Sequence, residues 1–137
     1  MILADTGPLL ALFDPKDPQH DRCVATLKTI REPIWTTTPV LTEAFHMLEP
    51  ASVGSDRLRE FVAKGGLGVW FLDRETLLRA FELMDRYTDH PMDLADASLI
   101  AAAETLGTVK IFTVDRNDFR TYRVRRGHRQ VPVQIVG

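Results

Sequence analysis

Met1-Ile2-Leu3-Ala4-Asp5-Thr6-Gly7-Pro8-Leu9-Leu10-Ala11-Leu12-Phe13 opens the chain with two apolar runs around one acid and a Gly-Pro pair. The first run, Met1 to Ala4, is too short for a helix and reads as a buried strand. The punctuation at Gly7 and Pro8 then hands the chain to a short helix over Leu9 to Phe13. The same order returns further along. Asp17 to Arg31 places Cys23, Val24, Leu27 and Ile30 at helical spacing. Pro33 to Thr37 reads as a second strand, and Thr38 with Pro39 supplies an N-cap and a first-turn proline for a helix over Val40 to Leu48. A loop at Pro50 to Ser55 leads to a helix over Asp56 to Lys64, which Gly65 and Gly66 stop before a third strand, Leu67 to Leu72. Helices over Arg74 to Tyr87 and Leu94 to Leu106 follow, the second ended by Gly107, and Val109 to Val114 is a fourth strand. A short segment, Arg116 to Phe119, then an arginine-rich stretch and a last strand over Val131 to Val136 complete the pattern.

Short apolar strands alternating with helices predict a three-layer α/β/α fold with a mostly parallel sheet of four to five strands and right-handed crossovers. At 137 residues and 45% hydrophobic content, residues 1–137 read as one domain that buries roughly two thirds of its unfolded surface, without disulfide or structural metal. The single cysteine, Cys23, has no partner within the chain, and no Cys/His cluster has zinc-finger spacing. The longest apolar stretches fall short of the ~18 residues of a membrane span, and no basic region precedes an apolar segment as in a signal peptide. The expectation is a cytoplasmic protein away from membranes. Neither Gly-x-Gly-x-x-Gly nor Gly-x-x-x-x-Gly-Lys occurs, so dinucleotide and P-loop readings lose their main support.

The net charge of -2 hides a separation. Arg116 to Arg129 holds six Arg against one Asp, net +5, which leaves -7 on the rest of the chain. An acidic feature and a basic feature with different tasks are implied, the plain alternative for the second being a solvated basic loop.

In an open parallel sheet the carboxyl ends of the strands and the amino ends of their helices share one edge, where ligands bind. Four acids fall there: Asp5 after the first strand, Glu43 early in the helix after the second, Asp96 in the first turn of the helix before the fourth, and Asp115 after the fourth. Each also has a plainer reading. Asp115 can cap the segment after it, Asp93 can cap the helix at Leu94 with Asp96 favoured by its dipole, and Glu43 can be a half-exposed helix glutamate. Asp5 is the costliest to explain away, because a carboxylate ending a buried strand needs a partner. Converging carboxylates call for cations or protons. An oxygen-only donor set suits Mg²⁺ or Mn²⁺, ions that serve phosphodiester hydrolysis.

Four blocks sharpen this. Leu3-Ala4-Asp5-Thr6-Gly7-Pro8-Leu9, Thr38-Pro39-Val40-Leu41-Thr42-Glu43-Ala44, Met92-Asp93-Leu94-Ala95-Asp96-Ala97-Ser98-Leu99 and Phe112-Thr113-Val114-Asp115-Arg116-Asn117-Asp118-Phe119 resemble, in order, the signature blocks of PIN-domain nucleases, especially VapC-type toxins. The resemblance implies that Asp5, Glu43, Asp96 and Asp115 are a catalytic, metal-binding tetrad for Mg²⁺ or Mn²⁺ in an endoribonuclease that leaves 5′-phosphate and 3′-hydroxyl ends. It implies Thr6 as an auxiliary residue, a cognate antitoxin and a homodimer; Asp93, three residues before Asp96 on the same helical face, is a further auxiliary candidate by spacing, ranked below its capping role. Arg116, Arg120, Arg123, Arg125 and Arg126 are candidate RNA-phosphate contacts, with an acidic antitoxin tail as the other occupant.

His46, three residues after Glu43, reads as a core histidine rather than a ligand, and Trp35, Trp70 and Phe71 read as core. His20 and Cys23 have metal-like spacing without a second pair. The other functional readings are a PIN-like nuclease with a housekeeping RNA-processing role, a PIN-like binding module, and a receiver-type signalling domain accepting phosphate at Asp73.

Overall fold

The computed structural model describes all residues from Met1 to Gly137. In chain order the elements are β1 (Ile2–Ala4), α1 (Thr6–Phe13), α2 (His20–Thr29), β2 (Ile34–Thr37), α3 (Thr38–Met47), α4 (Val53–Ala63), β3 (Gly68–Trp70), α5 (Arg74–Arg86), α6 (Leu94–Leu106), β4 (Lys110–Phe112), α7 (Arg116–Thr121), β5 (Arg123–Arg126), β6 (Arg129–Pro132) and β7 (Gln134–Val136). Five strands make one parallel sheet in the order β3-β2-β1-β4-β7, with Leu3 opposite both Trp35 and Ile111. β1 is central, so it is apolar throughout and wholly buried. The fold is the expected three-layer α/β/α arrangement. No helix is long and apolar enough to cross a membrane.

α6 is the spine of one layer. Ala95, Ala97, Ser98, Leu99, Ile100, Ala101, Ala102 and Ala103 are all buried, as in a helix that is covered around most of its surface. Its small side chains let it lie close to β1 and β2, with α5 and β5 packed on its other flanks. Thr37 fixes one approach, its hydroxyl meeting Ser98 Oγ at 2.6 Å. Gly107 takes the left-handed conformation (φ 76°) that ends the helix.

Several boundaries differ from the sequence reading, each for a local reason. α1 begins at Thr6, directly after Asp5, because the Asp5 side chain caps it; Pro8 then falls in the first turn, where a missing N–H costs nothing. The N-cap of α3 is Thr37, not Thr38. α4 starts at Val53 rather than Asp56, capped by Ser52 Oγ accepting from the Ser55 N–H. Phe71 is 71% exposed instead of core, Trp35 and Trp70 are half-buried, and His46 lies on the surface.

The largest difference is at the carboxyl end. The strand expected over Val131 to Val136 divides at Val133. Arg129–Pro132 turns back antiparallel on Arg123–Arg126, closing at Gly127 (φ 62°), and only Gln134–Val136 joins the main sheet. The arginine-rich stretch is therefore a β-hairpin. Its apolar pair, Val124 opposite Val131, packs on the core while Arg125, Arg126, His128 and Arg129 stay exposed.

Candidate active site

The parallel sheet delivers Asp5, Glu43, Asp96 and Asp115 to the same cavity of about 520 Å³, and Thr6, Asp93 and Asp118 line it too. Asp5 follows β1 directly and donates its N–H to the Phe112 carbonyl at 2.9 Å, so it is anchored to β4 as the strands end. Only 7% of the residue is exposed. One carboxylate oxygen accepts from the Thr6 N–H at 2.8 Å and the other from Thr113 Oγ1 at 2.8 Å, which fixes the plane of the group. Burial nevertheless outweighs these bonds and, helped by the charges of Glu43 and Asp115, pushes the Asp5 carboxyl up to about 6.

Asp96 is the third residue of α6. With Asp93 at the N-cap it forms a reciprocal capping box: the Asp96 N–H donates to Asp93 at 2.8 Å and the Asp93 N–H reaches back to Asp96 at 3.4 Å. Both plainer readings of these acids thus hold together with membership of the cavity. Burial first, then the neighbouring charges of Asp93 and Asp5, push the Asp96 carboxyl up to about 8. Glu43, in the second turn of α3, is raised by burial and by Asp93. Asp115 sits three residues beyond the end of β4 and caps α7, accepting from the Asp118 N–H at 3.2 Å while its own N–H donates to Thr113 Oγ1 at 3.0 Å. Burial raises it as well.

Two residues escaped the sequence reading. Thr113 links Asp5 to Asp115 through one hydroxyl, and its signal was the spacing Thr113-x-Asp115 in the fourth block. Asp118 shares the cavity, and its signal was a second acid one helical turn after Asp115. The arginines divide. Arg116 donates to the Gly137 carbonyl, and Arg123 donates to the carbonyls of Arg120, Thr121 and Tyr122 at the end of α7. The Arg125 N–H donates to Glu104 at 2.9 Å, and Arg120 and Arg126 are exposed. None of them lines the acidic cavity. Asp73, the acceptor in the receiver reading, caps α5 by accepting from the Thr76 N–H and lies in a different cavity.

The donor set is chemically apt for a hard cation. It is oxygen-only, and carboxyls shifted upward by burial and mutual repulsion are groups that a cation would relieve. Thr6 Oγ1 is buried without a hydrogen-bond partner beside Asp5, a polar atom awaiting one. No three of the His, Cys, Asp and Glu side chains already close on a single point.

A stability test follows from the raised carboxyls. A carboxyl whose folded value lies above its unfolded value keeps an extra proton in the folded state, so stability falls as pH rises between the two. For Asp5 that window runs from about 4 to about 6, and for Asp96 from about 4 to about 8. The metal-free protein is expected to melt at progressively lower temperature between pH 6 and pH 8. Mn²⁺ added at pH 8 is expected to restore the loss. Calorimetry with and without EDTA checks both, and a flat profile would remove the argument for a repelling acid cluster.

Fold and site together define a three-layer α/β/α protein with a carboxylate cavity at the carboxyl edge of a parallel sheet. Residues 2–124 match the family model of the PIN domain, and the chain belongs to that family. It is similar to Ribonuclease VapC26 of Mycobacterium tuberculosis, with 25% identity over 131 residues that cover 93% of this chain and 96% of that protein. Among solved structures it resembles VapC20 of Mycobacterium tuberculosis, described as a Sarcin-Ricin loop cleaving toxin, with a TM-score of 0.79 and 17% identity over 86% of this chain and 92% of that one. It also resembles FitAcB from Neisseria gonorrhoeae, with a TM-score of 0.61 and 21% identity over 87% and 91% of the two chains.

Proposed function

We propose that the protein is a divalent-metal-dependent endoribonuclease, the toxin of a toxin-antitoxin pair, cutting RNA at the carboxylate cavity. The observation that carries this reading is the convergence of Asp5, Glu43, Asp96 and Asp115 on one cavity, with Asp5 almost wholly buried. The ribonuclease name of the VapC26 relative supports it.

Asp5, Glu43, Asp96 and Asp115 would hold Mg²⁺ or Mn²⁺. A bound ion would supply Lewis acidity for phosphodiester hydrolysis, with 5′-phosphate and 3′-hydroxyl ends as the expected products. Asp5, clamped by Thr6 and Thr113, presents a carboxylate that cannot rotate away. Asp93 and Asp118 add negative charge to the cavity; the Asp93 carboxylate caps the first turn of α6 that carries Asp96, and the Asp118 N–H donates to the Asp115 carboxylate and so orients it. The Thr6 hydroxyl is placed to hydrogen-bond a water or a phosphate oxygen at the floor.

The acidic cavity repels RNA until it is neutralised, so attraction comes from elsewhere. Arg120 on α7 and Arg126 on the hairpin are exposed without an acidic partner, the equally exposed Arg125 reaches Glu104 at 4.0 Å, and the hairpin adds Arg129, directly opposite Arg126. Like charges facing across a hairpin are unfavourable unless an anion uses them. Replacing Arg126 and Arg129 by Ser is expected to weaken RNA binding across all sequences and to lower the slope of log affinity against log salt by about 2, read by fluorescence anisotropy on catalytically silenced protein. An unchanged slope would assign the hairpin a different role.

The toxin described in the VapC20 structure supports an antitoxin partner and, with the exposed Phe71, Leu78 and Phe81, a protein-covered face; a homodimer belongs to the same proposal. The deciding experiment treats a mixed RNA pool with the protein in Mn²⁺, with EDTA as control, and maps product ends. Metal-dependent cuts bearing 5′-phosphates are expected. Intact RNA across Mn²⁺ and Mg²⁺ concentrations, with no heat of metal binding by calorimetry, would overturn the reading.

A further inference from the structure

Beside the carboxylate cavity lies a second one of about 700 Å³, and Glu43 and Asp93 belong to the walls of both. The two therefore adjoin along Glu43 and Asp93. One wall of the second cavity is a stripe on α3, where Pro39, Thr42, Glu43 and His46 follow at i, i+3, i+4 and i+7 and so share a face. At 1.5 Å per residue the stripe is about 10 Å long. The opposite wall is the first turn of α6, Leu94 and Ala95.

The chemistry of these walls selects an occupant. The two charged walls, Glu43 and Asp93, are anionic and no Lys or Arg lines the cavity, so a phosphate or an acidic peptide is repelled. The rest is apolar surface from Pro39, Leu94 and Ala95, with the hydroxyls of Thr38 and Thr42 and the imidazole of His46. Such a surface suits a neutral planar group with apolar faces and hydrogen-bonding edges. Its continuity with the carboxylates places that group one step from the reacting phosphodiester. A nucleobase has these properties, and a base adjoining the cut is held beside it by its own sugar.

Building on the nuclease reading, we propose that this second cavity is the subsite for the nucleobase next to the scissile phosphate, and that Thr42 and His46 determine which base it prefers. His46 offers a ring for stacking and two nitrogens for a base edge. Thr42 already donates its hydroxyl proton to the Thr38 carbonyl at 3.0 Å, so its oxygen is left to accept from a base amino group. A segment of a partner protein is the competing occupant, and it lacks the link to the carboxylates that a substrate base has.

The test compares wild type with Thr42→Trp, which obstructs the cavity, with Thr42→Val, which removes only the hydroxyl, and with His46→Ala. Both side chains are solvent-exposed, so these variants keep the fold. Each protein is given a random-sequence RNA pool in Mn²⁺, and the base at each position around every cut is counted. Because preference is a ratio within one protein, changes in overall rate cancel. The expected result is a shift of about tenfold in the ratio between best and worst base at one position flanking the cut, and at no other. Cut-site distributions identical in all four proteins would overturn the subsite while leaving the nuclease intact. If wild type cuts no RNA, the nuclease reading falls and takes the subsite with it.

Discussion

Replacing Asp96 by Asn is expected to slow RNA hydrolysis by about 10³-fold and, in metal-free protein at pH 8, to raise the melting temperature. The two effects have one cause. Asp96 is held in the first turn of α6 by Asp93, in partial burial, facing Asp5, and these neighbours push its carboxyl up to about 8. The fold therefore pays to keep a charge there. Asn preserves shape and retains an oxygen to accept from the Asp93 N–H, but it removes the charge and its repulsion. The stabilisation grows as pH rises, because at pH 5 the folded protein already carries Asp96 protonated and Asn changes little. The activity loss comes from weaker binding of a divalent ion, whose transition-state stabilisation of about 4 kcal/mol corresponds to the 10³-fold figure. Adding Mn²⁺ is expected to reverse the order of the melting temperatures, since only wild type gains from binding. A variant that is both inactive and less stable without metal would mean that Asp96 serves α6 rather than the site.

The cost of placing a carboxylate there explains why the convergence of the acids was legible before the structure. Asp5 ends the most apolar strand of the chain, a place where a carboxylate serves no packing purpose. Topology did the rest, because parallel strands with helical crossovers bring strand ends and helix starts to one edge. Asp93 and Asp96 show where such reasoning stops being exclusive. Their capping box is a sufficient local explanation, and only the cavity shows that the same two side chains also line the space occupied by Asp5.

The carboxyl-terminal third was read less well, for a physical reason. Val131 to Val136 is a continuous apolar run broken only by Pro132 and Gln134, so local pattern favours one strand. The division at Val133 is decided by tertiary partners: Val124 draws Val131 into a hairpin, while Ile111 pairs with Ile135 in the sheet. The same partners redistribute the arginines. A run of positive charge looks uniform in sequence, yet Arg123 caps the end of α7 while Arg126, three residues on, faces solvent. His46 and Phe71 fail the opposite way, as apolar surroundings in sequence did not mean burial in space.

Glu104→Ala is expected to cost about 3 kcal/mol, or roughly 10 °C in melting temperature, without touching the carboxylate cavity. Glu104 is near the end of α6, and its side chain is 8% exposed. One of its oxygens accepts from Arg79 Nε at 2.8 Å; the other accepts from Arg79 Nη2 at 3.1 Å and from the Arg125 N–H at 2.9 Å. One carboxylate thus ties α5, α6 and the arginine hairpin together, and Arg79 spends its last contact on Glu82. Alanine leaves a largely buried guanidinium with only the exposed Glu82 as partner, the costly way to break a buried pair, and hands the Arg125 N–H to solvent. Glu104→Gln keeps one acceptor and is expected to lose about half as much. Because Glu104 lies about 12 Å along α6 from Asp96 at 1.5 Å per residue, the hairpin it anchors is distant from the cut. Hydrogen exchange is therefore expected to quicken at residues 123–132 in Glu104→Ala, while the Asp5 amide, bonded to the Phe112 carbonyl, keeps its protection relative to the rest of the sheet. If the whole sheet loosens in step with the hairpin, Glu104 supports the entire fold and the hairpin has no independent anchor.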